Sequence, residues 1–262
     1  MRLDHYLVLC GLVESRTQAQ RLIEQGEVVV NQSIVTKSSF SVDVHTRPSI
    51  EILKRPTYVS RGGEKLAAAL AAFDVPSLTV VMDIGASTGG FTDCLLQHGA
   101  QFVYAIDVGH DQLHPSLRHH ARVQSFEGSN IRQFSIQSLN PQPHFVTVDV
   151  SFISLRFVFQ RLWEEHLLVP VIALIKPQFE LTPAALDKHG VVKSHKDHEA
   201  ALIKVQQSAA EFSFYLQDLI PSPIRGEKSG NIEFLGYFTS NQSRQLDLLH
   251  MQECVKIAHK DL

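Results

Sequence analysis

The chain has 262 residues, with 24 lysines and arginines against 27 aspartates and glutamates, for a formal net charge of −3. At about 150 residues per domain this length suits one large domain or one ordinary domain with a small appendage, and 44% hydrophobic against 19% charged residues excludes wholesale disorder. No global basic excess points to nucleic acid, so any such binding must rest on a local patch.

The chain divides near residue 57. Residues 1–61 hold 8 basic side chains against 6 acidic ones, and the remainder is net acidic. Leu3, Leu7 and, after Gly11, Leu12 predict a short first helix closed by the glycine. Ser15 starts a second, with Gln18 three residues on as a capping box, and Ala19, Leu22 and Ile23 form its apolar stripe up to Gly26. Val28 to Val30 reads as a strand, Asn31-Gln32 as a turn and Ile50-Glu51-Ile52 as a returning strand. Arg16, in the first turn of the second helix, and Arg21, off its stripe, then face solvent. Such arginines suit backbone phosphates, and equally an ordinary solvated appendage. Beyond this, Arg2-Leu-Asp4, Gly11-Leu, Ser15-Arg16, Ala19, Leu22-Ile23 and Gly26-x-Val28-x-Val30-Asn31 resemble the S4-like RNA-binding domain of ribosomal proteins and pseudouridine synthases. That resemblance implies RNA contacts through Arg2, Arg16, Arg21 and Lys37.

Residues 66–240 alternate strand and helix. Thr79 to Ile84, Phe102 to Val108, Arg122 to Phe126, Phe145 to Val150 and Val171 to Ile175 read as five strands, and Leu155 to Glu165 as a helix by its periodicity. Glu233, in Gly230-Asn231-Ile232-Glu233-Phe234-Leu235, starts a further strand, and Arg244 to Lys260 reads as a closing helix. The alternation implies a doubly wound parallel sheet with ligands at the carboxyl ends of its strands.

Gly85-Ala86-Ser87-Thr88-Gly89-Gly90, followed by Phe91, lies between the first strand and a helix. It is not the dinucleotide spacing G-x-G-x-x-G. Asp83 just before it would oppose a pyrophosphate but suit a cation, and S-adenosylmethionine offers a sulfonium and an ammonium without a phosphate. Asp107, 22 residues past Gly85 at the end of the next strand, with Val108 beside it, is placed for ribose hydroxyls. Asn130-Ile131, after the third strand, is placed for the adenine. A Rossmann-like loop holding some other ligand remains open on these residues alone. So does a hydrolase: Gly85-Ala86-Ser87-Thr88-Gly89 matches the G-x-S-x-G elbow, with Asp149 and then His189 or His195 in the required order.

Asp149 and Lys176 each end a strand, Lys65 opens the helix before the first strand, and Glu233 begins another. Two lysines and two carboxylates at one cleft is an arrangement that tunes a lysine for work near neutral pH, although each of the four also suits a structural ion pair. Tyr58-Val-Ser60-Arg61-Gly62-Gly63-x-Lys65-Leu66, Asp83-x-Gly85-Ala-Ser-Thr-Gly-Gly-Phe91-Thr92-Asp93, Asp107-Val-Gly109, Asp149-Val-Ser151-Phe152-Ile153-Ser154-Leu155, Lys176-Pro177-Gln178-Phe179-Glu180 and Asn231-x-Glu233-Phe-Leu together resemble the TlyA family. Its members are ribosomal RNA 2′-O-methyltransferases with an S4-like domain ahead of an FtsJ-like catalytic domain. The resemblance covers nearly the whole chain. It implies a Rossmann-like class I S-adenosylmethionine-dependent fold over residues 58–262, with an S4-like domain and linker over 1–57. It further implies Lys65, Asp149, Lys176 and Glu233 as a Lys-Asp-Lys-Glu tetrad, and a cytidine target in 16S ribosomal RNA, 23S ribosomal RNA or both. The linker Lys54-Arg55-Pro56-Thr57 lacks the Arg-x-Trp-Val signature of actinobacterial members.

Other signals carry less. His110-x-x-x-His114 and His119-His120 have no nearby cysteine or glutamate partners, so solvated histidines and no metal are expected. Phe152 suits either a base-stacking platform or the core. Cys10, Cys94 and Cys254 lack Cys-x-x-Cys spacing, which fits reduced thiols in a cytosol. The longest apolar run, Leu167 to Ile175, is far short of the about 20 residues that cross a bilayer, and Asp4 and His5 break any leader pattern. Although TlyA relatives are often labelled haemolysins, a soluble cytoplasmic enzyme is expected. An RNA-binding protein that keeps the cofactor fold without turnover is the alternative.

Overall fold

Contacts in the computed structural model, which describes residues 1–13, 15–53, 57–226 and 230–260, divide the chain into Met1–Pro56 and Thr57–Leu262. Glu14 and the linker residues Lys54, Arg55 and Pro56 lie outside the described residues.

In the first unit, α1 (Leu3–Leu9) and α2 (Arg16–Glu24) pack on a three-stranded sheet of β1 (Val28–Val30), β2 (Ser33–Ile34) and β3 (Ile50–Ile52), in the order β2-β1-β3. The Ser-x-x-Gln spacing works as expected: the Ser15 hydroxyl accepts from the Gln18 N–H at 3.2 Å. Leu3, Leu7, Ala19, Leu22, Ile23, Val28 and Val30 form the buried core. Asn31 and Gln32 both take positive φ (48° and 66°), the two-residue hairpin geometry that matches strand twist.

The second unit contains α3 (Gly62–Ala72), β4 (Val80–Ile84), α4 (Gly90–Gln97), β5 (Phe102–Ile106), α5 (Pro115–Arg118), β6 (Val123–Phe126), β7 (Phe145–Val148), α6 (Leu155–Glu164), β8 (Val171–Ile175) and α7 (Pro177–Glu180). There follow α8 (His195–Ala210), β9 (Tyr215–Pro221), β10 (Phe234–Thr239) and α9 (Leu248–Lys260). One seven-stranded sheet runs β6-β5-β4-β7-β8-β10-β9, with a hydrophobic layer on each face. Residues of β4 and β8 are buried throughout, as their continuous apolar sequences require of strands covered on both sides.

The sheet is mainly parallel, as the strand–helix alternation implies, with one strand reversed. β10 runs antiparallel to both β8 and β9. This reversal has a consequence for the site: the start of β10 lies at the same edge as the carboxyl ends of the parallel strands, with Phe234 in register with Ile175. Glu233 and Lys176, the residues next along at that edge, are thereby brought to the same end of the sheet. The closing helix also begins later than expected, at Leu248, after a 3₁₀ turn over Gln242–Arg244.

Candidate active site

The switch point beside β4 forms the floor. Gly85, at φ 85°, approaches β7 so closely that a Cβ there would lie 2.4 Å from the Asp149 carbonyl oxygen. The Asp107 carboxylate, past the end of β5, accepts from the Ser87 N–H at 2.8 Å and the Gly109 N–H at 2.7 Å. It ties the glycine-rich loop to the next one. A cleft of about 1010 Å³ is lined by Gly85, Ser87, Asp107, Val108, Asn130 and Ile131. Ala86, Thr88, Gly90 and Phe91 line an adjoining cleft of about 650 Å³, and Gly85, Ser87, Asp149, Ser151, Phe152 and Phe179 line both.

Two loop residues do not line either cleft. Asp83 is fully buried and its two oxygens accept from Thr92 Oγ1 at 2.6 Å and Thr147 Oγ1 at 2.9 Å. Its carboxylate braces the loop from beneath rather than facing a ligand, because the strand turns its side chain into the sheet. Burial pushes its pKa up to about 7. Gly89, at φ 94°, sits at the start of α4 against Leu117, where a Cβ would come within 2.3 Å.

Lys65, Asp149, Lys176 and Glu233 all line the smaller cleft. They are organised as two ion pairs: Lys65 Nζ to Glu233 Oε2 at 2.5 Å, and Lys176 Nζ to Asp149 Oδ1 at 2.6 Å. The Lys65, Glu233 and Lys176 side chains are almost wholly withdrawn from solvent, and that of Asp149 is about three-quarters so. Lys176 Nζ also donates to Ser151 Oγ at 2.9 Å. Ser151 lies two residues beyond Asp149, in a block that resembles the TlyA family, but its residue type alone does not mark it as part of the charged cluster.

Phe152 is 89% exposed, stands at φ 63° and packs its ring 4.9 Å from that of Phe179. The core alternative for this residue is therefore wrong: the turn after Asp149 throws the ring outward. A bulky residue in left-handed backbone is a strained arrangement of the kind that clusters at functional sites.

In the first unit Arg2 and Arg16 do not stand alone. Both pair with the buried Asp4 carboxylate, at 3.0 Å each, and Gln20 Nε2 donates to it at 2.8 Å. Their side chains stay about half exposed, and Lys37 is exposed. Arg21 is half-buried.

Residues 58–239 match the FtsJ-like methyltransferase family, and residues 1–47 match the S4 domain. The chain belongs to the FtsJ-like methyltransferase family. Over 256 residues it is 34% identical to the 16S/23S rRNA (cytidine-2′-O)-methyltransferase TlyA of Mycobacterium tuberculosis, covering 97% of this chain and 95% of that one. It is 40% identical over 241 residues to Hemolysin A of Brachyspira hyodysenteriae, covering 91% and 99%. A solved structure from Streptococcus thermophilus superposes with a TM-score of 0.77 at 39% identity, covering 100% of this chain and 96% of that one.

His189 lines the cleft with Ser87 and Asp149, but both of those side chains are engaged elsewhere, against the hydrolase reading. Ser87 Oγ donates to Gln112 Oε1 at 3.2 Å, Asp149 holds Lys176, and His195 stacks on His259 with ring centroids 3.6 Å apart. Among the described residues no group of three or more histidine, cysteine, aspartate or glutamate side chains is arranged to hold a metal. None of the described helices is long and apolar enough to cross a membrane.

Proposed function

We propose that this protein transfers a methyl group from S-adenosylmethionine to the ribose 2′-oxygen of a cytidine in ribosomal RNA, with Lys65, Asp149, Lys176 and Glu233 as its catalytic residues. The observation that carries this reading is the pairing of Lys176 with Asp149 and of Lys65 with Glu233 in a cleft that adjoins the glycine-rich loop.

The larger cleft suits the cofactor. A carboxylate offers about four acceptor positions; Asp107 uses two on the Ser87 and Gly109 N–H groups, which leaves two for ribose hydroxyls. Val108, 65% exposed beside it, and Ile131 offer apolar surface to an adenine, with Asn130 at the same wall. Gly85 to Thr88, with Gly90 and Phe91, would hold the methionine portion, with Asp83 bracing that loop through Thr92. When bound, S-adenosylmethionine supplies an electrophilic methyl group that needs no metal activation.

A ribose hydroxyl is a weak acid, so its proton must leave as the oxygen attacks. Lys176 Nζ is the group that orients or accepts that proton, with Asp149 and Ser151 fixing its position; general-base help of this kind contributes about 10²–10⁴ in rate. Glu233 holds Lys65 rather than Lys176. This second pair sets the charge and shape of the cleft wall. Alignment of the hydroxyl with the methyl group supplies most of the remaining acceleration.

The S4-like domain, residues 1–57 with its linker, would supply affinity for the ribosomal RNA through Arg2, Arg16, Arg21 and Lys37, and residues 58–262 the chemistry. Phe152, exposed at the junction of the two clefts, would stack on an unpaired base. Incubation with purified ribosomal subunits and labelled cofactor tests the reading: it predicts label at one or more cytidine 2′-O positions. RNA binding without label would instead indicate a cofactor fold lacking turnover.

A further inference from the structure

We infer that Glu180 is a positioning residue for methyl transfer: its buried carboxylate staples the loop that carries Lys176 to the loop that carries Asp149, Ser151 and Phe152. This rests on the proposed reaction but concerns a residue outside the four charged groups assigned to it.

The two loops leave neighbouring parallel strands, β7 and β8, at the same edge of the sheet. Each delivers one half of the Lys176–Asp149 pair, so the distance between the loops fixes the geometry of that pair. Glu180 closes the short helix α7 that Lys176 opens, and it is 3% exposed. One of its oxygens accepts from Ser154 Oγ at 2.6 Å and the other from the Leu155 N–H at 2.8 Å. Ser154 caps α6, so the carboxylate faces the N-terminus of a ten-residue helix, where a negative charge is favoured. Lys204 of α8 donates from its Nζ to the Glu180 backbone carbonyl and anchors the same residue from the other side.

Burial raises the Glu180 pKa, while the two donors and the Lys204 charge oppose that rise. Such a group is retained at a cost, because a buried carboxylate loses its hydration. The cost is offset only while both donors stay in place. The staple therefore has one satisfied geometry, and that geometry sets how the Lys176 loop meets the Asp149 loop.

The chemistry of the conservative replacement separates position from charge. In Glu180→Gln the amide oxygen can accept from the Leu155 N–H while the amide nitrogen donates to Ser154 Oγ, which has acceptor capacity to spare. The staple survives and the charge is gone. Glu180→Ala removes both bonds.

The test is single-turnover methyl transfer to ribosomal RNA, expressed per site that binds S-adenosylmethionine, for the wild-type protein, Glu180→Ala, Glu180→Gln and Ser154→Ala. Loss of alignment by an ångström costs on the order of 100-fold. We expect about a 10- to 100-fold lower rate per cofactor-bound site in Glu180→Ala, with an unmoved pH profile, recovery to within about threefold in Glu180→Gln, and a smaller fall in Ser154→Ala. An unchanged rate per bound site in Glu180→Ala, with only a lower unfolding temperature, would overturn the inference in favour of a purely structural role. A pH profile displaced equally in the alanine and glutamine variants would also overturn it. Should Glu180→Ala not fold, an unchanged rate in Ser154→Ala has the same force. Absence of transfer by the wild-type protein would instead count against the proposed reaction.

Discussion

Lys65 and Glu233 stand 168 positions apart in the chain and meet at 2.5 Å, with side chains only 11% and 4% exposed. Removing one member of such a pair leaves a buried charge without its partner, which typically costs about 3–5 kcal/mol. Glu233→Ala is expected to lower unfolding stability by that order and to lose methyl transfer. A paired replacement, Lys65→Met with Glu233→Leu, is expected to recover much of the stability and none of the transfer. Denaturant unfolding alongside a transfer assay checks both; recovery of transfer in the paired variant would remove the two residues from the chemistry.

Phe152 is expected to separate stability from function. Its φ of 63° is strained for phenylalanine and free of strain for glycine, and its ring is mostly in water. Phe152→Gly should therefore leave stability unchanged or raise it by up to about 1 kcal/mol, while lowering transfer to ribosomal RNA by about tenfold or more through the loss of stacking worth about 1–3 kcal/mol. Thermal unfolding and transfer kinetics measured on one preparation decide it. Unaltered kinetics would return Phe152 to the class of incidental surface residues.

These expectations depend on how much of the site was visible in the chain. β8 spans Val171 to Ile175 and the helix after Ser154 begins at Leu155, both as their apolar patterns require. Local periodicity and capping chemistry decide such elements, so a single sequence reveals them. The direction of β10 was not visible, because strand polarity depends on which partner the strand finds. Glu233 was therefore placed at a strand start without its reason for meeting Lys65. Pairing within the four charged residues was hidden for the same reason: residue type and strand ends bring them to one cleft, and side-chain reach decides the partners. The place of Asp83 before the glycines suggests that it faces a ligand, whereas the pleat and the two threonines turn it inward.

Asp83 gives a pH dependence with a definite sign. Burial raises its carboxyl from the ordinary value of 3.8 to about 7 in the folded chain. The folded state then binds a proton more tightly than the unfolded one, so this group favours folding fully below about pH 4. Its contribution declines as pH rises through that window and is gone above about pH 7. Asp83→Asn, which keeps the shape and removes the titration, should flatten the stability profile between about pH 4 and pH 7. Equal slopes for the two proteins, measured by denaturant unfolding across that range, would show that another group is responsible.

Asp4 organises the other unit. It is fully buried, and its hydrogen bonds with Arg2 first, and with Gln20 and Arg16, hold its carboxyl well below the usual range. Its stabilising effect is present above the ordinary carboxylate pKa and is lost only as pH falls through the depressed folded value. Asp4→Ala is expected to destabilise residues 1–56 by about 1–3 kcal/mol and to weaken RNA binding, since Arg2 and Arg16 lose the group that fixes them. Hydrogen exchange resolves the first effect, with protection falling in α1 and α2 and unchanged in β4 and β8. A titration with RNA at two salt concentrations resolves the second. Full affinity in the variant would show that the arginines do not need Asp4.

The central claim is tested most directly by mapping where label from S-adenosylmethionine arrives on purified ribosomal subunits, with the wild-type protein and with Lys176→Ala. The account predicts a labelled cytidine 2′-oxygen with the wild-type protein, and no label with Lys176→Ala although that variant still binds the cofactor. Label at wild-type rates with Lys176→Ala, or label on a base atom rather than the ribose, would contradict it.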